Sequence, residues 1–272
     1  MALFTDQTGY TISLDYLPKR IISLVPSQTE LLFDLGLGEE VAGITKFCIH
    51  PEKWFRTKAR IGGTKDVKTE RIAALQPDLI IANKEENVKE QVEALREIAP
   101  VWTSDINTLE DAYVMIEQIG ILTQKEASAN RIVQNIKEGF ALLTTQLSNT
   151  KQKTCVYLIW KDPYMTIGSD TFIHEMLGYG KFTNLFAAAT RYPETSITQL
   201  QELAPEMLLL SSEPYPFAEK HIQALQQSLP DTRIELVDGE MFSWYGSRLM
   251  QAPAYFCGLS ERINSSSTAV KS

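Results

Sequence analysis

The decapeptide IAALQPDLII, residues 72–81, returns as LQELAPEMLL, residues 200–209, at a constant offset of 128 positions (72 to 200). Each copy reads as a short amphipathic helix, a proline, an acidic residue and an apolar strand. A second, weaker match lies upstream of each copy. TELLFDLGLG (29–38) aligns with TFIHEMLGYG (171–180), sharing the Thr, one Leu and both Gly. The order helix–Gly-x-Gly, then helix–Pro–strand, therefore occurs twice. A chain with this repeat is expected to fold as α/β, with two similar lobes, each a central sheet flanked by helices.

The start of the first copy shows how such a lobe is built. In RIISLVPSQTELLFDLGLGEEVAGI (20–44), Ile21–Val25 is a short β-branched-rich run that reads as a buried strand. Ser27 with Glu30 fits a capping box, which predicts a helix from there to about Leu35, stopped by Gly36. Val41–Ile44 is then a second strand. A strand that feeds a helix start places backbone N–H donors at the carboxyl edge of the sheet, where open α/β sheets bind ligands.

Residues 108–150 are almost wholly helical in pattern, and Thr123 with Glu126 suggests a second capping box. One helix is expected to reach about Leu122 and a longer one to start at Gln124. Ala129, Val133, Ile136, Phe140, Leu143 and Leu147 recur at helical spacing, so the longer helix has one apolar face. From Gln124 to Leu147, at ~1.5 Å per residue, it is a rod of roughly 35 Å. The expected organisation is a first lobe at 1–107, a rigid linker helix at 108–150 and a second lobe at 151–272, with the rod limiting the lobes to small rocking motions.

Bulk properties narrow the function. The chain of 272 residues carries a formal net charge of −8 and no Lys/Arg block, so a nucleic-acid partner is not expected. No apolar run approaches the ~20 residues of a membrane span, and no membrane insertion is expected. The amino-terminal stretch lacks a basic and an apolar signal region, and the three cysteines are far apart with no C-x-x-C. Both features point to a cytoplasmic protein. A periplasmic location is the alternative if a signal has been removed.

Loops that follow the strands are expected to line a cleft between the lobes. The first half supplies Pro26, Ser27, Phe47, His50 and Gly63; the second supplies Trp160, Tyr164, Arg191, Tyr215, Phe242, Trp244, Tyr245 and Arg248. Aromatic residues dominate this set. Aromatics in loops are costly unless they cover a ligand or pack under their own loops, and a large flat ligand suits them. His50 and Cys48 sit two apart and could bind a soft metal, but a four-ligand site is not visible, so no metal site is expected. There is no G-x-S-x-G and no phosphate loop, and no enzyme is expected.

Taken together, the strand-x-P-S-x-T-E stretch, the segment IGGTKDVKTERIAALQPDLIIAN (61–83), the long central helix and the degraded second copy resemble the helical-backbone substrate-binding proteins of ABC transporters. The resemblance covers about Arg20 to Ile263 and is greatest to the cobalamin-binding branch, with iron–siderophore binders next. It implies a periplasmic-binding-protein-like fold and a corrinoid or metal chelate held in the cleft by aromatic contacts. It also implies an ABC permease partner, docked through one glutamate on each lobe. The first-lobe glutamate matches Glu70 in KTERI. In the second lobe Thr198 stands where the acid is expected, with Glu194 and Glu202 out of register. His50, in IHP, replaces a tyrosine of the family's cleft loop; it is read as hydrogen-bonding or structural, with a contact to cobalt as the alternative.

The expected function is thus a non-enzymatic binder of cobalamin or another corrinoid, for ABC-type uptake or intracellular handling, with no cofactor of its own. An iron–siderophore or haem binder is the alternative, for which Lys46, Lys84, Lys161, Arg191 and Arg248 could supply the cations. An enzyme that modifies a corrinoid or tetrapyrrole is the reading from a different class.

Overall fold

The computed structural model describes residues 2–268; residues 1 and 269–272, the outer ends of the two expected lobes, lie outside the described residues. The chain forms two compact units. The first comprises residues 2–106, Glu110–Asn135 and Tyr245–Arg248. The second comprises Asn107–Leu109, Ile136–Trp244 and the chain from 249 onward. The helical stretch expected to stand apart as a linker is shared out, with the division falling after Asn135.

Unit 1 opens with a hairpin of β1 (Ala2–Thr5) and β2 (Thr11–Leu14). It continues through β3 (Ile21–Ser23), α1 (Pro26–Asp34), β4 (Val41–Ile44), α2 (Glu52–Thr57) and β5 (Ala59–Arg60). Then come α3 (Thr69–Ala74), β6 (Leu79–Asn83), α4 (Lys89–Leu95) and β7 (Val101–Ser104). The five strands of the main sheet are parallel in the order β5-β4-β3-β6-β7. β3 and β6 are buried along their whole length, which is why Ile21–Ser23 and Leu79–Asn83 read as runs without alternation. Two helices follow, α5 (Leu109–Leu122) and α6 (Glu126–Gln146).

Unit 2 repeats the plan. Its elements are β8 (Lys153–Leu158), β9 (Tyr164–Met165), α7 (Phe172–Tyr179), β10 (Phe182–Asn184), β11 (Glu194–Thr195) and α8 (Ile197–Leu203). After these come β12 (Met207–Ser211), α9 (Glu219–Ser228), β13 (Arg233–Val237), α10 (Glu240–Ser243) and α11 (Ala252–Thr268), with a 3-10 turn at Ser247–Met250 whose first two residues are counted in unit 1. The sheet order β10-β8-β12-β13 is that of β4-β3-β6-β7 in unit 1, and again all strands are parallel.

The repeat is therefore structural, down to one backbone angle. β6 begins at Leu79 and β12 at Met207, the same offset of 128 that relates the two sequences (79 to 207). Gln76 and Ala204, equivalent at that offset, both close their helices in the left-handed region, at φ 46° and 43°. Each turns the chain from helix into the proline that precedes the strand.

Both expected capping boxes are overturned. α1 starts one residue earlier, with Val25 as cap and Pro26 in the first turn, and no side chain caps it. Proline suits that position because its missing N–H would have had no helical partner. α5 ends at Leu122, but the Thr123 hydroxyl donates back to Ile119 O at 2.7 Å, so α6 starts only at Glu126. The apolar face of α6 is as expected, with Ala129, Val133, Ile136, Phe140 and Leu143 buried, and Leu147, just past its end, is buried too.

The left-handed turns give a direct test of the backbone argument. A side chain at φ > 0 costs roughly 1–2 kcal/mol, partly offset by the extra unfolded-state freedom of glycine, about 0.4–1 kcal/mol. Ala204→Gly is expected to stabilise the protein by about 0.5–1 kcal/mol on this balance, read as a higher urea midpoint with unchanged slope; a lower midpoint contradicts it.

Candidate functional site

In each unit the side chains of interest stand on the segments that leave the carboxyl ends of the parallel strands, the edge at which open α/β sheets hold ligands. In unit 1 the loop after β4 is pinned from below. Cys48 is fully buried, with the hydroxyls of Thr29 and Thr45 each 3.1 Å from its sulfur, and burial pushes the thiol above its ordinary value. Its neighbours are turned out: Phe47 is 51% and Ile49 45% exposed. Cys48 is thus an anchor under the loop, not half of a metal pair with the half-buried His50. Among the described residues no group of three metal-ligating side chains occurs.

Two glycines shape the turn beside Phe47. Gly62 has φ 110°, and a Cβ there would lie 2.4 Å from Asp66 O. Gly63 is buried, and its own Cβ would come within 3.2 Å of the Phe47 ring. The phenyl ring thus lies on bare backbone, with Lys46 Nζ 4.9 Å from its centroid. Ser27, also buried, sits in the first turn of α1 beside the half-buried Pro26.

The segment Tyr245–Arg248 belongs to unit 1 and is strapped onto α1. Arg248 donates to both carboxylate oxygens of Glu30, through Nε at 2.7 Å and Nη2 at 2.6 Å, and the two side chains are only 11% and 13% exposed. Asp34 lies one turn further on along α1, and burial raises its carboxyl above the usual range. Gly246, at φ 132°, lets the strap pass within 3.1 Å of Ser27 O, as measured from the Cβ it lacks. Arg248 was expected to offer a cation to a ligand. Its charge is instead matched by Glu30, and Tyr245 is 7% exposed.

In unit 2 the loop after β8 carries Trp160, whose indole is 41% exposed. The loop is held by Ile159 N–H to Met165 O at 3.0 Å and Met165 N–H to Trp160 O at 3.1 Å, which leaves Tyr164 half-buried beside it. Tyr215, from the loop after β12, stands edge-on to Trp160 with centroids 5.7 Å apart. Behind Tyr215 lie Phe217 and His221, at 4.7 Å and 5.5 Å. Arg191 is exposed, at φ 58°, with its N–H on Asp170 Oδ1 and its guanidinium over Tyr192.

Phe242 and Trp244 belong to the interior. Phe242 has no exposed surface and packs on Tyr157 and Phe256 at 5.1 Å and 4.9 Å, so it is corrected from ligand contact to core. Trp244 is 6% exposed, and its Nε1 donates to Glu213 Oε1 at 2.8 Å. Glu213 also accepts from Ser243 Oγ at 2.8 Å, and burial holds its carboxyl above the usual range despite those two donors. Trp54 likewise lies in α2, buried and edge-on to Phe33 at 5.3 Å. Of the aromatic residues expected to line the cleft, Phe47 in unit 1, and Trp160 with Tyr164 and Tyr215 in unit 2, keep accessible surface.

The model of the family described as periplasmic binding protein matches residues 21–232. The chain belongs to the periplasmic binding protein family. Among its relatives, the vitamin B12-binding protein of Vibrio parahaemolyticus is 28% identical over 195 residues, 71% of this chain and 70% of that protein. An uncharacterised ABC transporter substrate-binding lipoprotein of Bacillus subtilis is 27% identical over 213 residues, covering 75% of this chain and 67% of its own length. In fold, the chain is similar to the periplasmic vitamin B12 binding protein BtuF of Vibrio cholerae, with a TM-score of 0.77 at 21% identity, over 90% of this chain and 98% of that one. The permease-docking candidate Glu70 is exposed on α3, and Thr198 occupies the equivalent place on α8. Among the described residues no helix is long and apolar enough to cross a membrane.

Removing one member of a mostly buried ion pair leaves the other uncompensated. Arg248→Ala is therefore expected to cost about 3–5 kcal/mol of folding stability, measured by chemical denaturation. The double variant with Glu30→Ala should lose less than the sum of the two single losses; additive losses would show that the pair does not hold the strap.

Proposed function

We propose that this chain is a non-enzymatic substrate-binding protein for cobalamin or another corrinoid, serving ABC-type uptake. The observation that carries this reading is Trp160: a 41% exposed indole on a hydrogen-bonded turn, supported edge-on by Tyr215. A rigid, exposed aromatic offers a large apolar contact at small entropic cost. Phe47 is the corresponding feature of unit 1. The relative named as a vitamin B12-binding protein supports the corrin as the flat partner.

The charges favour a corrinoid over an anionic chelate. Of the five cations that could meet a siderophore or haem carboxylate, three are matched by acids. Arg248 is held by Glu30, Lys84 by Asp105 at 2.5 Å and Lys161 by Asp162 at 2.6 Å. The exposed lysine pairs are weak in energy, but each lowers the positive field an anion would find. A corrin ring with neutral amides around its edge asks less of that field.

We further propose that the ligand is passed to an ABC permease, with Glu70 as a docking acid and the Thr198 position contributing no charge. The substrate-binding lipoprotein among the relatives supports such a partner. Uptake needs the protein on the outer side of the permease, as the periplasmic family implies; intracellular handling is the alternative, and cell fractionation separates the two.

Binding is tested by titrating hydroxocobalamin, haem and a ferric hydroxamate while recording visible spectra. Hydroxocobalamin is expected to bind, and Trp160→Ala to weaken it by about 1–3 kcal/mol, roughly fivefold to a hundredfold in Kd. Binding of haem or the ferric chelate alone would sink the corrinoid reading. Equal affinity of the variant and wild type would remove Trp160 from the site.

Glu70→Ala should leave the Kd for hydroxocobalamin unchanged and slow permease-dependent uptake by cells. Uptake at the wild-type rate would free Glu70 from the docking role.

A further inference from the structure

His221 and Tyr215 share an arrangement that fixes which way one proton can point. His221 is 8% exposed and stands in the first turn of α9. The backbone N–H of Ala218 donates to its Nδ1 at 2.8 Å. A backbone N–H can only donate, so Nδ1 carries no proton and the imidazole is held as its Nε2–H tautomer. The Tyr215 hydroxyl lies 3.3 Å from that Nε2. With the ring proton on Nε2, the imidazole is the donor and the phenol oxygen the acceptor. Tyr215 therefore does not spend its own proton on His221.

Packing makes the orientation rigid. The Tyr215, Phe217 and His221 rings meet one another at 4.7, 5.4 and 5.5 Å, and the loop is fixed by Tyr215 N–H to Ile159 O at 3.3 Å. Through that last bond Tyr215 is tied to the residue preceding Trp160. The half-buried ring, edge-on to the exposed Trp160, thus keeps its own O–H proton for another acceptor.

We propose that His221 is a positioning residue that commits Tyr215 to donate its hydroxyl proton to a carbonyl oxygen on the edge of the ligand lying against Trp160. This rests on the corrinoid reading and deepens it: the acceptor class is a peripheral carboxamide carbonyl, and His221 acts without touching the ligand. A hydroxyl locked as donor prefers an acceptor to a donor at that edge, so the pair contributes specificity as well as affinity. If His221 acts only through this proton, its effect must vanish when the phenol oxygen is absent.

The test combines one spectrum with one double-mutant cycle on the full chain. Long-range proton–nitrogen correlation of the histidine rings should show His221 with an unprotonated Nδ1 and a protonated Nε2. Tyr215→Phe should weaken hydroxocobalamin binding about threefold to tenfold, the range of one neutral hydrogen bond. His221→Phe, which keeps a ring in the cluster, should weaken it comparably, and adding it to Tyr215→Phe should change nothing further. The opposite tautomer, wild-type affinity in Tyr215→Phe, or additive losses in the double variant would each overturn the proposal. Should wild type ignore hydroxocobalamin, the corrinoid reading fails, and the imidazole spectrum by itself still decides whether Tyr215 is the acceptor of that bond.

Discussion

Parallel pairing of one buried strand on both of its sides is the constraint from which each unit is built. β6 is paired with β3 and β7, and β12 with β8 and β13. A strand hydrogen-bonded on both edges and buried on both faces has no freedom to slip, since a shift of one residue would cost its ladder and its packing together. Its carboxyl end is therefore a fixed point. Asn83 and Ser211, the last residues of β6 and β12, both use that fixity. Asn83 accepts two backbone N–H bonds, from Glu85 and Glu86, and Ser211 donates to Glu213 O. The loops that leave β6 and β12 are tied down at their first residue.

The fold was legible because its signals are local and duplicated. An apolar run of strand length after Pro-Asp or Pro-Glu reads the same way in both halves, and the offset of 128 survives into the first residues of β6 and β12. The helix starts were less legible because several residue types can serve one end. Ser27 and Glu30 have the spacing of a capping box, but Pro26 already satisfies the first turn, and Glu30 is drawn away by Arg248, 218 positions along the chain. No local pattern announces a partner at that distance. The backbone bond from the Thr123 hydroxyl is the same lesson at short range, since a threonine can close the helix behind it as readily as open the one ahead.

The candidate site divides along the same line. Phe47 and Trp160 were recognisable as loop aromatics, and both are exposed. Phe242 and Trp244 have the same composition and a similar setting, yet both are interior. What separates them is nonlocal: Tyr157 and Phe256 close over Phe242, and a buried Glu213 takes the Trp244 N–H. Trp244 could leave for a ligand only by stripping a buried carboxylate of a donor, which costs more than a surface rearrangement. The role of His221 is not legible in the sequence because it depends on Ala218 N–H, which the sequence does not show. The one available hint was a histidine three residues after a Pro-Phe-Ala turn, where a side chain can reach back to the helix cap.

Exposed aromatics and buried polar groups in this protein are two halves of one device. Phe47 is held out because Cys48 is held in, under two threonine hydroxyls; Trp160 is held out because Tyr215 is backed by Phe217 and His221. An aromatic side chain on a slack loop would fold back onto its own unit and lose its contact surface. Anchoring the adjacent residue in the core removes that option before any ligand arrives, so less ordering remains to be done on binding. Polar anchors suit this task better than apolar ones, since a hydrogen bond fixes direction where apolar packing tolerates rotation. The same reasoning explains why the thiol of Cys48 and the imidazole of His221 are fully engaged within the protein: each orients a neighbour that is left accessible. A change at either anchor should therefore act on the neighbour's orientation first, and on the affinity of the site only through it.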